Sequence, residues 1–162
     1  MSHSTAKRVE HRCVQRNPAP PEQVFPLLCP VREADWVPDW RYRMVYSRTG
    51  VAEEGCVFAT PNDDGSETTW LVTHYDPAAC SIAFAWVWPG MVAAQIRIQL
   101  EPAAQGSTDA NIHYAYTSLS PEGNALLERW DAAWFRGKMQ SWERAINHYL
   151  RHGEKIAAAA WE

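Results

Sequence analysis

From Arg41 to Thr117, apolar and polar residues alternate with a period of two. The alternation predicts strands over about residues 42–48, 54–60, 67–76, 80–88, 91–101 and 109–118. Turn chemistry separates them: Thr49-Gly50, Asn62-Asp63-Asp64-Gly65, Asp76-Pro77, Pro89-Gly90 and Gln105-Gly106. Such short connections favour antiparallel neighbours. Ile82, Phe84, Trp86 and Trp88 share one face of their strand, as do Ala94, Ile96, Ile98 and Leu100 of the next. Ile112, Tyr114 and Tyr116 face opposite to Asn111, His113 and Thr117. Residues 7–15 also alternate, with Val9, His11 and Cys13 on one side, and form the first strand. One apolar and one wet face describes an antiparallel sheet covered on one side.

The period then changes to that of a helix. Ser120 is a good N-cap, Pro121 suits the first helical position, and Gly153 can turn left-handed to stop the run. The interval predicts one helix of about 48 Å. Leu127, Trp130, Trp134, Phe135, Met139, Trp142, Ala145, Ile146, Tyr149 and Leu150 fall on one arc. Arg136, Gln140, Glu143, Arg144, Asn147 and Arg151 fall on the other. Asp131 and Lys138 interrupt the apolar stripe on one side, two turns apart. Either they sit at its edge, Lys138 snorkelling outward, or they face a cavity holding water or a ligand. Gly137 beside them marks a bend or a close approach. Between the first strand and the sheet, the prolines around residue 20 open a short helix over residues 22–28. Pro30 starts a second short piece to about Asp35, and Trp36-Val37-Pro38-Asp39-Trp40 forms a rigid aromatic loop.

Composition narrows the classes. The 162 residues fit one domain spanning 1–162, with a core over 6–153 and loose termini at 1–5 and 154–162. A net charge of -4 without a basic block argues against nucleic acid. No apolar run reaches the roughly 20 residues of a membrane span, and residues 1–8 lack an apolar signal core, so a cytoplasmic location without membrane insertion is expected. The four cysteines, Cys13, Cys29, Cys56 and Cys80, are widely spaced without a CxxC pair and read as reduced thiols rather than metal ligands. No cofactor is called for, and a homodimer is left open. Nine tryptophans in so short a chain predict either a very aromatic core or an aromatic-lined pocket.

The order of strand, two short helices, six strands and one long helix resembles the START-like superfamily, also called SRPBCC. That group includes the polyketide cyclase/dehydrase-type domains and the birch-pollen-allergen group. The resemblance is carried by Pro20-Pro21-Glu22-Gln23-Val24-Phe25-Pro26-Leu27-Leu28, by Trp36-Val37-Pro38-Asp39-Trp40 and by the helix of residues 120–153. It implies an α+β helix-grip fold, in which a curved seven-stranded antiparallel sheet wraps the last helix around a cavity. It implies no single reaction, since such folds serve as ligand carriers, lipid binders, aromatase/cyclases and chaperone activators.

No nucleophile elbow, phosphate loop or HExxH motif is present. The residues expected to border a ligand are Trp36, Trp40, Trp70, His74, Trp86, Trp88, Tyr114, Tyr116, Trp130, Asp131, Trp134 and Lys138. His74 shares strand parity with Trp70 and Val72, and is either a cavity-facing general base or a structural histidine. The tyrosines and tryptophans can equally be core rings, and Trp36 and Trp40 either frame a mouth or cap the core. The leading expectation is a pocket for a small apolar ligand, lipid-like, aromatic or polyketide-like. The alternatives are a cyclase/aromatase-type enzyme and a protein-binding module of the chaperone-activator kind.

Overall fold

The computed structural model describes residues 5–161. The expected seven strands form one curved antiparallel sheet. They are β1 (Arg8–Asn17), β2 (Arg43–Tyr46), β3 (Val57–Pro61), β4 (Glu67–Asp76), β5 (Ser81–Trp88), β6 (Val92–Ala103) and β7 (Ser107–Ser118). Their order across the sheet is β1-β7-β6-β5-β4-β3-β2. Each strand from β2 to β7 pairs with its successor, as short turns require, while β1 closes against β7 from Arg8↔Thr117 to Asn17↔Thr108. The long segment between β1 and β2 carries α1 (Pro21–Val24), a 3-10 turn (Phe25–Leu28) and α2 (Pro30–Glu33). A proline stands at the first or second position of each piece, fixing φ and dividing the predicted helix of residues 22–28 into short turns.

The inner face of the sheet follows the alternation. Ile82, Phe84 and Trp86 of β5, Ile96 and Leu100 of β6, and Ala110, Tyr114 and Tyr116 of β7 are all buried. Burying each large side chain contributes about 1.5–3 kcal/mol. Strand β4 breaks the pattern. Its register against β5 shifts between Val72, opposite Phe84, and His74, opposite Ala83. The extra residue reverses parity beyond it, so Tyr75 turns inward onto Phe25 and His74 turns to the outer face.

The single predicted helix is two helices: α3 (Pro121–Arg129) and α4 (Ala132–His152). Trp130 leaves helical geometry at ψ 57°, and its carbonyl oxygen lies 2.9 Å from Nε2 of His11 on β1. Asp131 then caps α4, its Oδ1 accepting the Trp134 N–H at 2.9 Å. Trp130 and Trp134 stack across the break, 4.6 Å apart and nearly parallel. The end of β1 holds α4 in place through polar contacts. Gln15 Nε2 donates to the Met139 carbonyl at 2.9 Å, and the Arg16 N–H donates to Glu143 at 2.9 Å. Asn17 Nδ2 donates to Asn147 Oδ1 at 2.9 Å. Asn147, expected on the solvent arc, is therefore buried as half of an amide pair. Of the termini expected to be loose, residues 1–4 and 162 lie outside the described residues. Residues 154–161 include α5 (Ala158–Trp161), whose Trp161 ring centroid is 6.4 Å from that of Trp142.

Gly137 makes no room for a neighbour: helix α4 runs through it, and a Cβ added there meets nothing within 4 Å. The close approach is at Gly123 in α3, where an added Cβ would lie 2.0 Å from the Met91 carbonyl oxygen. Alanine is the better helix former at both positions by about 1 kcal/mol, but only Gly137 can accept it. Gly137→Ala is expected to stabilise the protein by about 0.5–1 kcal/mol. Gly123→Ala should destabilise it by about 2 kcal/mol or more, because backbone must move. Urea unfolding of both variants measures the opposite signs.

Candidate functional site

Six strand spacings of about 4.8 Å make the sheet roughly 29 Å wide, whereas a helix with its side chains is only about 10–12 Å across. Curvature and large rings close part of that difference, and the α1–α2 segment closes more. What is left is a cavity of about 250 Å³. Its position follows from side-chain size along β7. Tyr114 and Tyr116 fill the space at one end, while Ala110 and Ile112 leave it open at the other. The walls are Phe58, Trp70 and Phe84 of β3 to β5, Ile96, Ile98 and Leu100 of β6, and Met139, Trp142 and Ile146 of α4. Val24, Leu28 and Trp40 close the side formed by the α1–α2 segment and its following loop.

The tryptophan N–H groups are largely used elsewhere. Trp40 donates to the Pro30 carbonyl at 2.8 Å and Trp70 to Thr60 Oγ1 at 3.0 Å, so each offers the cavity an apolar ring. Gln15 and Asn17 spend their amide N–H groups on α4. Of the ionisable groups that line the cavity, the Glu33 carboxyl, the Tyr114 hydroxyl and the Lys138 ammonium make no hydrogen bond or ion pair among the described residues, while the buried Tyr116 hydroxyl and Trp88 Nε1, outside the lining, also lack a partner. Burial alone pushes the Glu33 carboxyl well above its ordinary 4.5, so it is held as the neutral acid. Burial, with lesser contributions from Glu33 and Cys13, raises the Tyr114 phenol. Part of Lys138 reaches the surface, yet the atoms crowded around its ammonium exclude enough water to push it down to about 8. Its Nζ lies 5.3 Å from the Tyr114 ring centroid and 5.2 Å from that of Trp134, within reach of a cation–π attraction.

The twelve residues expected at a ligand separate into three groups. Trp40, Trp70, Tyr114 and Lys138 line the cavity. Trp86, Tyr116, Trp130 and Trp134 instead interlock beside it as a solid plug of rings, with Trp130 and Tyr116 centroids 5.1 Å apart. Trp36 is fully buried behind Trp142, donating to the Leu27 carbonyl at 2.9 Å, and Trp88 packs at the far end of β5 without reaching the hollow. The third group points away. His74 is turned outward by the β4 bulge, and Asp131 is an exposed helix cap rather than a cavity carboxylate. His74 lies instead in an open trough of about 890 Å³ across the outer face of the sheet, with Arg12, Arg97 and His113. That trough is larger, but it is open to water, so it offers little of the desolvation on which small-molecule affinity rests.

Glu33 is the main omission of the sequence reading. Its signal was there: Cys29 and Pro30 precede it, and Trp36 and Val37 follow it, at helical spacing, and all four are buried. Phe84 and the aliphatic residues Ile96, Ile98 and Leu100 of β6 were read as buried and form the walls, together with Phe58, which the alternation alone did not single out.

No protein-family model matches the sequence, and no curated protein is similar to it in sequence. Solved structures are similar in fold. Norcoclaurine synthase from Thalictrum flavum superposes with a TM-score of 0.67 at 12% identity, over 91% of this chain and 88% of that one. Ara h 8.0201 does so with a TM-score of 0.62 at 16% identity, over 90% of this chain and 99% of that one. The di-domain ARO/CYC protein BexL, from the BE-7585A biosynthetic pathway, gives a TM-score of 0.61 at 19% identity, over 90% of this chain and 46% of that one. This chain therefore corresponds to about half of the di-domain protein. The architecture of this chain is the helix-grip fold that these solved structures share: a curved seven-stranded antiparallel sheet around a long C-terminal helix.

The two unengaged charges make opposite contributions to stability as pH changes. An acid raised in the folded chain adds stability below its unfolded value of 4.5 that is lost as pH rises through the raised value. A base lowered from 10.5 to about 8 adds stability above 10.5 that is lost as pH falls through about 8. Glu33→Gln should therefore stabilise the protein at neutral pH, with a gain that grows as pH rises above 4.5. Lys138→Met should stabilise it at pH 7, with a gain that shrinks towards pH 10. Urea midpoints across that range test both slopes.

Proposed function

We propose that this protein binds a small, largely apolar ligand in the cavity between α4 and the sheet. The carrying observation is a sheltered, partly open hollow of about 250 Å³ with aromatic and aliphatic walls and three ionisable groups that make no hydrogen bond or ion pair among the described residues. Its volume lies just under the roughly 300–1,000 Å³ usual for small-molecule sites, so the ligand is compact, or Met139 and Trp142 move to admit a larger one. The cavity-facing members of the expected set, Trp40, Trp70, Tyr114 and Lys138, are the proposed contacts, joined by Glu33. The rings of the adjacent plug support the wall without touching the ligand. Among fold relatives, a norcoclaurine synthase structure is a complex with dopamine and hydroxybenzaldehyde, and BexL is an ARO/CYC protein. Both favour an aromatic or polyketide-like guest over a long lipid. A cytoplasmic location and freedom from nucleic acid belong to the same reading and rest on charge and composition. No helix among the described residues is long and apolar enough to cross a membrane.

A cyclase-type activity is the second reading. The observation in its favour is a neutral carboxyl and a lysine of lowered basicity lining one dry cavity, the poise that acid–base chemistry on a carbonyl compound uses.

Titration with naphthols, flavonoids and medium-chain lipids, followed through tryptophan emission, tests the first reading. Trp70 and Trp142 line the hollow, so a bound aromatic guest is expected to quench or shift emission with micromolar affinity. Ala110→Phe, which fills the hollow from β7, should weaken binding at least tenfold while leaving the circular dichroism spectrum unchanged. Binding undiminished in that variant would place the ligand elsewhere.

A further inference from the structure

An apolar guest would suit the walls of the cavity but leave its polar groups unanswered, the one cation among them. Lys138 brings a cation to the boundary between the hollow and the ring plug, over Tyr114 and Trp134. No carboxylate among the described residues lies within the 4.0 Å of an ion pair with it; the pairs that do form involve Lys7, Arg8, Arg16, Arg32, Arg43 and His113, away from the cavity. The titratable groups on the facing elements are Glu33 of α2, Tyr114 and Tyr116 of β7, and Cys13 and His11 of β1, the last held on the Trp130 carbonyl. Burial raises Glu33, Tyr114 and Cys13 and so favours the neutral form of each. Two cation–π contacts return less than desolvating an ammonium costs. Met139, the next residue, shows that an unbranched apolar side chain packs at this depth. Stability alone therefore gives no reason for a lysine here.

We propose that the ligand is a monoanionic amphiphile: a compact apolar body carrying one carboxylate, with the body against Phe58, Trp70, Phe84 and Ile96 and the carboxylate on Lys138. This rests on the ligand-binding reading above and names the class of guest. The cavity carries a single positive charge, which one carboxylate neutralises and a phosphate monoester would overmatch. The Glu33 carboxyl and the Tyr114 hydroxyl still hold their protons, so both add donors rather than repulsion. A bound carboxylate also favours the charged amine, so binding takes up a proton once the free lysine begins to lose its own. Affinity for the acid then falls as pH rises through about 8, while that of an uncharged analogue stays level.

Calorimetry with matched pairs tests this: 4-phenylbutyrate against 4-phenylbutanamide, 2-naphthylacetate against its amide, and octanoate against octanamide, each at pH 7 and pH 9.5. The acids are expected to bind at least tenfold more tightly than their amides at pH 7, and the preference should shrink by about tenfold at pH 9.5. Lys138→Met should erase the preference while still binding the amides, which shows that its cavity is intact. Lys155→Met, at an exposed position, should change neither. Equal binding of acid and amide to the natural protein, or a preference that survives in Lys138→Met, overturns the proposal and leaves the cavity reading standing. Failure of every acid and every amide to bind overturns both.

Discussion

A seven-stranded sheet is far wider than the one helix laid across it, and that mismatch governs the molecule. The sheet must bend around α4, and the segment between β1 and β2 must fold into a second cover. Even then the space is filled only where side chains are large. Tyr116, Trp86, Trp130 and Trp134 mesh at one end, whereas Ala110 and Ile112 face the other and leave it hollow. The cavity is thus the place where the residues of β7 become smaller while the distance to the helix remains.

A hollow survives only if the helix cannot slide to fill it. The end of β1 prevents that with a buried amide pair, Asn17 with Asn147, and with Gln15 on the Met139 carbonyl. Displacing α4 along its axis would strip buried polar groups of their partners, at about 1–3 kcal/mol for each. The other end is held by His11, which meets the Trp130 carbonyl and stacks on Phe135 at 4.8 Å. Breaking the chain at Trp130 also has a chemical consequence. It assigns Asp131 to capping, removes a carboxylate from the inner stripe, and leaves Lys138 without a counter-charge.

The elements were legible because each depends on local spacing. Strand positions, turn residues, the Ser120 cap and the Gly153 stop all follow from neighbours along the chain, and the structure differs mainly at their ends. The site was legible in part. Trp40, Trp70, Tyr114 and Lys138 reach the cavity, and they are legible because an aromatic loop, rings on an inward strand parity and a charge on an apolar helical stripe are local patterns. His74 was misplaced because one extra residue in β4 reverses parity, and a bulge is defined by the partner strand rather than by its own sequence. The helix break was missed because Asp131 reads equally as a stripe residue and as a cap. What decides is His11, 119 residues away along the chain, whose ring N–H donates to the Trp130 carbonyl exposed at the broken turn.

Alternation and helical periodicity by themselves therefore determined the class of fold and the inventory of inward-facing groups, since both depend on backbone geometry common to every strand and helix. Which of the twelve expected residues share a cavity, and that Glu33 joins them, only the packed molecule decided. A cavity is the volume left between elements remote in sequence. It depends on the sum of their side-chain sizes and on the register in which they meet, and no single segment encodes either.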